Sequence, residues 1–264
     1  MSFPAPGSHR HRFHFGDFER SYLLHRPNVD GPTPLVIMLH GAGGSSLFAV
    51  EETGWSDLAD RHGFTVVYPE GIAVRPEKKA KFLTNPQEWN DGSGRGRHDD
   101  VGFLLAVLDR LATIADPARV YLTGFSNGAG MAFRLAAEHA DRFAALAPVA
   151  GHCWIESPRP SRPVPTFYLS GDRDKLVPLA GGPTPTPWGT VEVRPAVNDT
   201  LVRWGAAIGA APGSALFPVR MIPGHGHHWP GGKAMLGEKL GGPAATAVDA
   251  SREIWEFFSR FARQ

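Results

Sequence analysis

A serine flanked by two glycines is the first feature of the sequence that could carry chemistry. The stretch "GFSNG" (Gly124–Gly128) has the spacing G-x-S-x-G, with an apolar strand pattern before it (Arg119–Thr123) and strong helix formers after it. A sharp turn from strand to helix would expose the hydroxyl of Ser126 near the N–H groups that begin the helix. The pattern therefore predicts a nucleophilic serine. The alternative is a glycine-rich helix start with a capping serine.

A serine nucleophile needs a base to take its proton and an acid to orient that base. In a fold that presents a serine in this way, the acid and then the base follow later strands. Two candidate acids, Asp172 and Asp174, come after one apolar stretch, and three candidate bases, His225, His227 and His228, come after the next. The alternatives are turn-forming aspartates and a histidine metal site, which needs three or four converging ligands.

The negative charge that develops when a serine attacks a carbonyl needs two N–H donors, the oxyanion hole. One is expected from Asn127, which follows the serine. The stretch "LHGAGGSS" (Leu39–Ser46) is a strand end that opens into a small-residue loop, and we expect the second donor at Ala42. Its glycine spacing does not match the G-x-G-x-x-G phosphate loop of dinucleotide-binding folds.

The elements that must position these residues alternate along the chain. Strand-like stretches rich in β-branched residues alternate with helix-like stretches such as Asp99–Ile114, after an opening antiparallel pair. This order predicts a mostly parallel sheet of about eight strands with helices on both faces. We expect residues 1–264 to form a single domain, and the Gly- and Pro-rich stretches at 179–189 and 231–245 to be loops.

Composition excludes several classes of function. The chain has 264 residues, of which 42% are hydrophobic and 20% charged, and a net charge of +1 gives no basic surplus for nucleic acid. The single cysteine, Cys153, rules out an internal disulfide and is interpreted as an idle thiol. The start of the chain has no signal-peptide pattern and no stretch predicts a membrane span, so we expect a cytoplasmic protein, or alternatively a mature secreted form.

The motifs together resemble one known group of proteins. They resemble the polyhydroxybutyrate depolymerase-like and feruloyl-esterase-like esterases of the α/β-hydrolase superfamily, close to the family 1 carbohydrate esterases. The resemblance runs from about residue 20 to the last predicted helix. The stretches that carry it are "LHGAGGSS", "TGWSDLADRHGFTVVYPEG", "WNDG", "DDVGFL", "RVYLTGFSNGAGMAFRLA", "FAALAPVAG", "GDRDKLVP" and "GHGHHWPGG".

The resemblance implies an α/β-hydrolase fold and selects among the candidate residues. It makes Ser126 the nucleophile, selects Asp174 from the pattern D-x-x-V-P, and selects His227, two residues before a tryptophan. His228 and His225 replace a threonine and a glycine that are usual in the group. The residues expected to line the substrate site are His40, Trp89, Asn90, His228 and Trp229. For Trp89 the alternative is simple packing under a loop.

The predicted reaction is hydrolysis of a carboxylic ester through an acyl-enzyme, with no metal or organic cofactor. Candidate substrates are hydroxyalkanoate oligomers, short acyl esters and feruloyl-type esters. The partner is therefore a small or oligomeric ester, with no nucleic acid or membrane. The loops Thr84–Gly96 and Leu179–Gly189 are expected to help form the pocket walls. The alternatives are a serine hydrolase of peptides or thioesters and a non-catalytic binding protein on the same scaffold.

Overall fold

Strands and helices alternate along most of the chain in a computed structural model that describes residues 5–263. The described strands are β1 (Gly7–Phe15), β2 (Phe18–Arg26), β3 (Thr33–Leu39), β4 (Thr65–Pro69), β5 (Ile72–Ala73), β6 (Gln87–Glu88), β7 (Ala115–Phe125), β8 (Ala145–Val149), β9 (Tyr168–Gly171), β10 (Gly182–Pro185), β11 (Val191–Arg194) and β12 (Val219–Ile222). The described α-helices are α1 (Ser46–Thr53), α2 (Trp55–His62), α3 (Asp100–Leu111), α4 (Asn127–Glu138), α5 (Val197–Ile208), α6 (Gly237–Gly241) and α7 (Ala250–Phe258).

Eight of these strands form the main sheet, in the order β1-β2-β4-β3-β7-β8-β9-β12. The pairs β1–β2 and β2–β4 are antiparallel, and the pairs from β4 onward are parallel. The predicted α/β fold, with a mostly parallel sheet of about eight strands and an antiparallel opening pair, is confirmed. Because parallel strands end at the same edge, the segments after β3, β7, β8, β9 and β12 meet there.

Helices cover both faces of this sheet, which is why its central strands are apolar throughout. All residues of β3, β4 and β8 are buried. One core contains residues of α3, α4 and α5, among them Phe103, Phe133 and Trp204. The other contains residues of α2 and α7, including Trp55 and Trp255. The hydrophobic effect thus holds the sheet between two helical layers.

Several predicted boundaries differ from the structure. The helix expected over 99–114 ends at Leu111, because residues 112–114 form a turn that leads into β7. Its expected capping residue is correct: the Asp99 side chain accepts a hydrogen bond from the Gly102 N–H at 2.8 Å. The stretch at 179–189 is not all loop, because β10 lies in it and pairs with β11. Helix α6 likewise lies within 231–245. No helix within residues 5–263 has the length and apolar character needed to cross a membrane.

Candidate active site

The turn between β7 and α4 consists of one residue, Ser126, in a backbone conformation that L-residues rarely adopt. Its φ is 56° and its ψ is −119°, a strained geometry of the kind that clusters at functional sites. The two glycines of the motif allow this turn. A Cβ atom on Gly124 would collide with the carbonyl of Gly128, and one on Gly128 would collide with the carbonyls of Leu39 and His40. Strand β7, helix α4 and the end of β3 can therefore approach each other closely.

The backbone around Ser126 is hydrogen-bonded on both sides. Its N–H donates to the carbonyl oxygen of Val149 at 2.9 Å, and its own carbonyl accepts from the N–H groups of Ala129 and Gly130. The side chain is partly exposed. Its Oγ atom makes no hydrogen bond to any residue in the range 5–263. The backbone of the turn is thus held by hydrogen bonds, while the hydroxyl is available to bond another group.

His227 and Asp174 form a buried pair that follows β12 and β9. The His227 Nδ1 atom lies 2.7 Å from Asp174 Oδ2, and the two residues are 2% and 5% exposed. The other carboxylate oxygen, Oδ1, accepts from the backbone N–H groups of Leu176 at 2.8 Å and Val177 at 2.7 Å. A carboxylate accepts only, so Nδ1 carries the hydrogen of this bond, and in the neutral ring the free lone pair lies on Nε2.

The pKa of Asp174 is set by opposing effects. Burial alone would raise it, but the adjacent His227 and the N–H groups of Val177 and Leu176 outweigh burial and hold the pKa below its ordinary value. Asp174 is therefore an anion at neutral pH. This is the charge state that orients an imidazole and stabilises it when it becomes protonated.

The other candidate acid and bases have different partners. Asp172 is exposed and accepts from the Gly224 N–H at 2.7 Å. Both nitrogen atoms of His225 bond backbone groups: Nε2 lies 3.1 Å from the His228 carbonyl oxygen, and Nδ1 accepts from the Ala245 N–H. The Nε2 atom of His228 lies 2.8 Å from the carbonyl oxygen of Gly242. Among the described candidate acids and bases, Asp174 and His227 are the one carboxylate and imidazole that bond each other.

The loop after β3 lies beside the start of α4. Ala42 and Asn127 both border the cavity that contains Ser126 and His227. No described residue accepts a hydrogen bond from the backbone N–H of Ala42 or Asn127. Both donors expected for the oxyanion hole are therefore placed at this cavity and are unused by the rest of the fold.

His40, Trp89 and the Asn127 side chain hold that loop in place. The Trp89 indole N–H donates to the His40 carbonyl at 2.8 Å, and the Asn127 amide bonds both the N–H and the carbonyl of Trp89. The His40 ring donates from Nδ1 to the Gly41 carbonyl and accepts at Nε2 from the Gly71 N–H. Burial lowers the pKa of His40, which is consistent with this neutral ring.

The residues expected to line the substrate site lie behind the cavity wall in this structure. Their polar atoms are used inside the fold, as with His228 above and with Trp229, which donates from its indole N–H to Ser251 Oγ. The side chain of Asn90 donates to the His98 carbonyl. The five residues that lie away from the cavity lining are His40, Trp89, Asn90, His228 and Trp229. They position loops instead of contacting the cavity.

The cavity is a narrow cleft that opens to solvent, with about 80 Å³ of enclosed space for water-sized groups. Part of its lining is apolar and aromatic: Phe48, Phe82, Leu176, Val177, Trp188, Leu236 and Leu240. Another part is polar, with Asp91, Arg95, His152 and Arg194. As expected, residues from both 84–96 and 179–189 form part of the wall. The cavity therefore offers an apolar region and a polar region to a bound molecule.

The polar lining residues were missed by the sequence analysis. Arg95 and Arg194 lie on loops or a hairpin, where no spacing pattern marks them. The position of His152 after β8 could have marked it, because the segments after β9 and β12 at the same edge of the sheet carry Asp174 and His227. Burial of Asp91 raises the pKa of its carboxyl group, although Ser93, Asn127 and Arg95 oppose that effect.

Comparisons with known proteins agree with this architecture. The family model for Esterase PHB depolymerase matches residues 21–159. NocK of Nocardia uniformis subsp. tsuyamanensis, an esterase by name, is 34% identical over 259 residues, covering 81% of this chain and 71% of NocK. Poly(3-hydroxyalkanoate) depolymerase C of Paucimonas lemoignei is 36% identical over 120 residues, which are 45% of this chain but only 28% of that protein.

A solved structure shows the same fold at low identity. The S-formylglutathione hydrolase from Agrobacterium tumefaciens matches with a TM-score of 0.64 over 98% of this chain and 97% of its own, at 14% identity. The family model covers just over half of the chain, and the match to NocK spans more than two thirds of each protein. The chain therefore belongs to the Esterase PHB depolymerase family, a family of carboxylic ester hydrolases.

Proposed function

We propose that this protein is a serine esterase that hydrolyses carboxylic esters through an acyl-enzyme formed on Ser126. The observation that carries the proposal is the buried Asp174–His227 pair, 2.7 Å apart, beside the cavity that also contains the strained serine turn. The His227 tautomer leaves Nε2 as the free base. A base oriented by a carboxylate, next to an exposed hydroxyl, is the arrangement that activates a serine.

The first step forms the acyl-enzyme. Nε2 of His227 takes the proton of Ser126 while Oγ attacks the ester carbonyl carbon, so the carbonyl oxygen becomes an anion. That oxygen would accept from the N–H groups of Ala42 and Asn127, which are free of other partners. The intermediate collapses as the protonated imidazole gives its proton to the departing alcohol. The step requires Ser126 Oγ to reach hydrogen-bonding distance of Nε2 when substrate is bound, as is common in hydrolases.

The second step releases the acid. A water molecule loses a proton to Nε2 and attacks the acyl carbonyl carbon. The carbonyl oxygen again becomes an anion that accepts from the same two N–H groups. The proton then returns to Ser126 Oγ as the acyl–oxygen bond breaks. Asp174 stays ionised in both steps and stabilises the imidazolium.

The substrate classes follow from the cavity and the family. A lining rich in Phe, Trp and Leu suits the acyl or aryl portion of a short ester. We propose hydroxyalkanoate oligomers, short acyl esters and feruloyl-type esters, because relatives carry depolymerase and feruloyl esterase names. The wild-type protein should therefore hydrolyse p-nitrophenyl acetate, and methyl ferulate or a hydroxybutyrate dimer should separate the classes.

The test compares wild type with Ser126→Ala on p-nitrophenyl acetate. The substitution should lower kcat by about 10⁴-fold or more, because the nucleophile is lost. The matched control is Ser259→Ala, a serine whose hydroxyl bonds the Glu256 carbonyl on the surface. A fluorophosphonate should label wild type and the control but not Ser126→Ala. If wild type and Ser126→Ala turn over the ester equally, the proposal fails. Absence of an adduct at Ser126 would favour a binding protein.

A further inference from the structure

We propose that His152 and Arg194 form a binding site for an uncharged oxygen atom of the ester substrate, and that this site determines substrate preference. The inference rests on the proposed esterase function and goes further, because it names a polar group that favoured substrates carry. Both residues border the cavity of Ser126. His152 would be a specificity-determining residue, distinct from the groups that move protons.

The chain brings His152 close to the nucleophile. The residue lies three positions after the end of β8, beyond Ala150, whose φ is 50°, and Gly151. Gly151 packs so tightly that a Cβ atom there would collide with the carbonyl oxygen of Ser126. His152 is the next residue, so it is adjacent in sequence to a residue whose backbone packs against that of Ser126. Its ring is 1% exposed and belongs to the cavity wall.

Arg194 and His152 both lie against the ring of Trp154. The His152 and Trp154 rings meet edge to face with centroids 5.3 Å apart, and the Arg194 guanidinium lies 5.6 Å from the centroid of the Trp154 ring. Arg194 also lowers the pKa of His152 by charge repulsion, second only to burial. The two side chains thus flank the same tryptophan in the wall of one cavity.

Each side chain has a buried nitrogen atom without a partner. His152 Nε2 and Arg194 Nε make no hydrogen bond to any residue in the range 5–263. The other ring nitrogen of His152, Nδ1, lies 3.2 Å from Thr200 Oγ1. Buried polar atoms are rarely left unpaired, because the hydrogen bonds to water that they lose are not replaced. Two such atoms in the wall of one cavity are available to hydrogen-bond a bound substrate.

The chemistry of the two atoms determines what they bind. Arginine Nε–H can only donate. Burial, with the charge of Arg194, lowers the pKa of His152 to about 4, so its ring is neutral at pH 7. When the Thr200 hydroxyl donates to Nδ1, the hydrogen of the neutral ring lies on Nε2, and that atom donates as well. Two unpartnered donors in the wall of one cavity fit an acceptor oxygen of the substrate.

The surrounding charges favour an uncharged acceptor over a carboxylate. The Arg194 guanidinium is paired with Glu192 at 2.9 Å, and Arg95 is paired with the same Glu192 and with Glu88. Two cations therefore meet two anions, and a substrate carboxylate would add an unbalanced buried charge. The buried carboxyl group of Asp91 borders the same cavity. An ether, hydroxyl or carbonyl oxygen keeps this balance.

The experiment compares esters of equal shape that differ by one oxygen atom. On the acyl side the pair is methyl 3-methoxypropanoate and methyl pentanoate, and on the alcohol side it is 2-methoxyethyl acetate and butyl acetate. Hydrolysis is followed by pH-stat titration, and each ratio of kcat/KM values is divided by the ratio for alkaline hydrolysis. Wild type should prefer the oxygen-containing ester about tenfold in one of the two pairs, which identifies the side that reaches His152.

Variants of His152 separate recognition from folding. His152→Phe should bring the preference to about one, since both nitrogen atoms are lost, whereas His152→Gln should retain much of it, since its amide can donate from a position near Nε2. His62→Phe, an exposed histidine, should keep the wild-type preference. These comparisons use ratios within one variant, so a general loss of activity does not imitate the result.

Three results would overturn the inference. Turnover of both pairs by wild type without a preference would refute it and leave the esterase proposal intact. A preference that His152→Phe retains would do the same. A stronger preference for monomethyl glutarate over methyl pentanoate would refute the assignment to an uncharged group. Failure of wild type to hydrolyse any ester, including p-nitrophenyl acetate, would instead refute the proposed function together with this inference.

Discussion

Replacing Asp174 by asparagine should disable the enzyme by changing the position of one hydrogen atom. In the structure, Oδ1 of Asp174 accepts two backbone N–H bonds, at 2.8 and 2.7 Å. An amide placed there would put its carbonyl oxygen on those two donors and turn its NH₂ group toward His227. Nδ1 of His227 would then accept, and its hydrogen would move to Nε2. The atom that must take the serine proton would already carry one.

The expected size of the effect is large. Loss of the correct tautomer costs about 10⁴-fold in kcat in enzymes with this arrangement, or about 5 kcal/mol of transition-state stabilisation. The assay is p-nitrophenyl acetate hydrolysis at pH 7, with kcat and KM determined separately. KM should change little, because Asp174 does not border the cavity. Circular dichroism of the purified variant checks that the fold is retained.

Asp172→Asn is the matched control. Asp172 is two residues away, exposed, and bonded to the Gly224 N–H, a bond that an asparagine oxygen can also accept. This variant should stay within about twofold of wild type. The reasoning is refuted if Asp174→Asn keeps more than a tenth of the wild-type kcat, or if Asp172→Asn is the more damaging change.

Three further predictions concern stability and the loop after β3. The pKa of Asp174 is lowered in the folded state, so its charge stabilises the fold above about pH 4, and this contribution is lost as the pH falls through the lowered pKa. The free energies of unfolding of wild type and Asp174→Asn, measured in urea, should therefore converge as the pH falls. A difference that stays constant with pH would contradict this. Trp89→Phe removes the N–H bonded to the His40 carbonyl. The free energy of unfolding should fall by about 1–3 kcal/mol in thermal unfolding, and kcat for ester hydrolysis should also fall. An unchanged kcat would show that this loop contact does not support catalysis. Arg20→Met should destabilise the protein by about 3–5 kcal/mol in urea titrations, because Asp100, 2.7 Å away, would be buried without its cation. Adding Asp100→Asn to Arg20→Met should recover part of that loss. If Arg20→Met alone is as stable as the double variant, the unpaired carboxylate is not the cause.

The fold was predictable because its signals are local and consistent. The apolar stretch of β3 and the helix-forming residues of α4 each favour one type of element, and their alternation leaves few arrangements of the sheet. The nucleophile turn was predictable for the same reason, since its motif lies between a strand and a helix. The hairpin of β10 and β11 was missed because six of the nine residues in 181–189 are Pro or Gly, which favour loops.

The substrate side of the site could not be derived in the same way. Trp89 and Trp229 have side chains typical of binding sites, but each is buried with its indole N–H on a neighbouring oxygen. Whether an aromatic residue faces a cavity or a core depends on how loops pack, and a motif does not contain that information. Arg194 and His152 are 42 residues apart in the sequence, and only the folded chain shows that both border the same cavity.

The hairpin of β10 and β11 gives the fold a part that can vary on its own. Among the described strands, its two strands pair only with each other and with none of the main sheet, yet it carries Arg194 to the cavity. Evolution can therefore lengthen, shorten or replace this segment without altering the ladder that holds Ser126. Doubling the length of such a loop costs only about 0.6 kcal/mol of closure entropy. New substrate ranges would then arise by exchange of one surface insert, which also makes the hairpin the natural target for directed evolution.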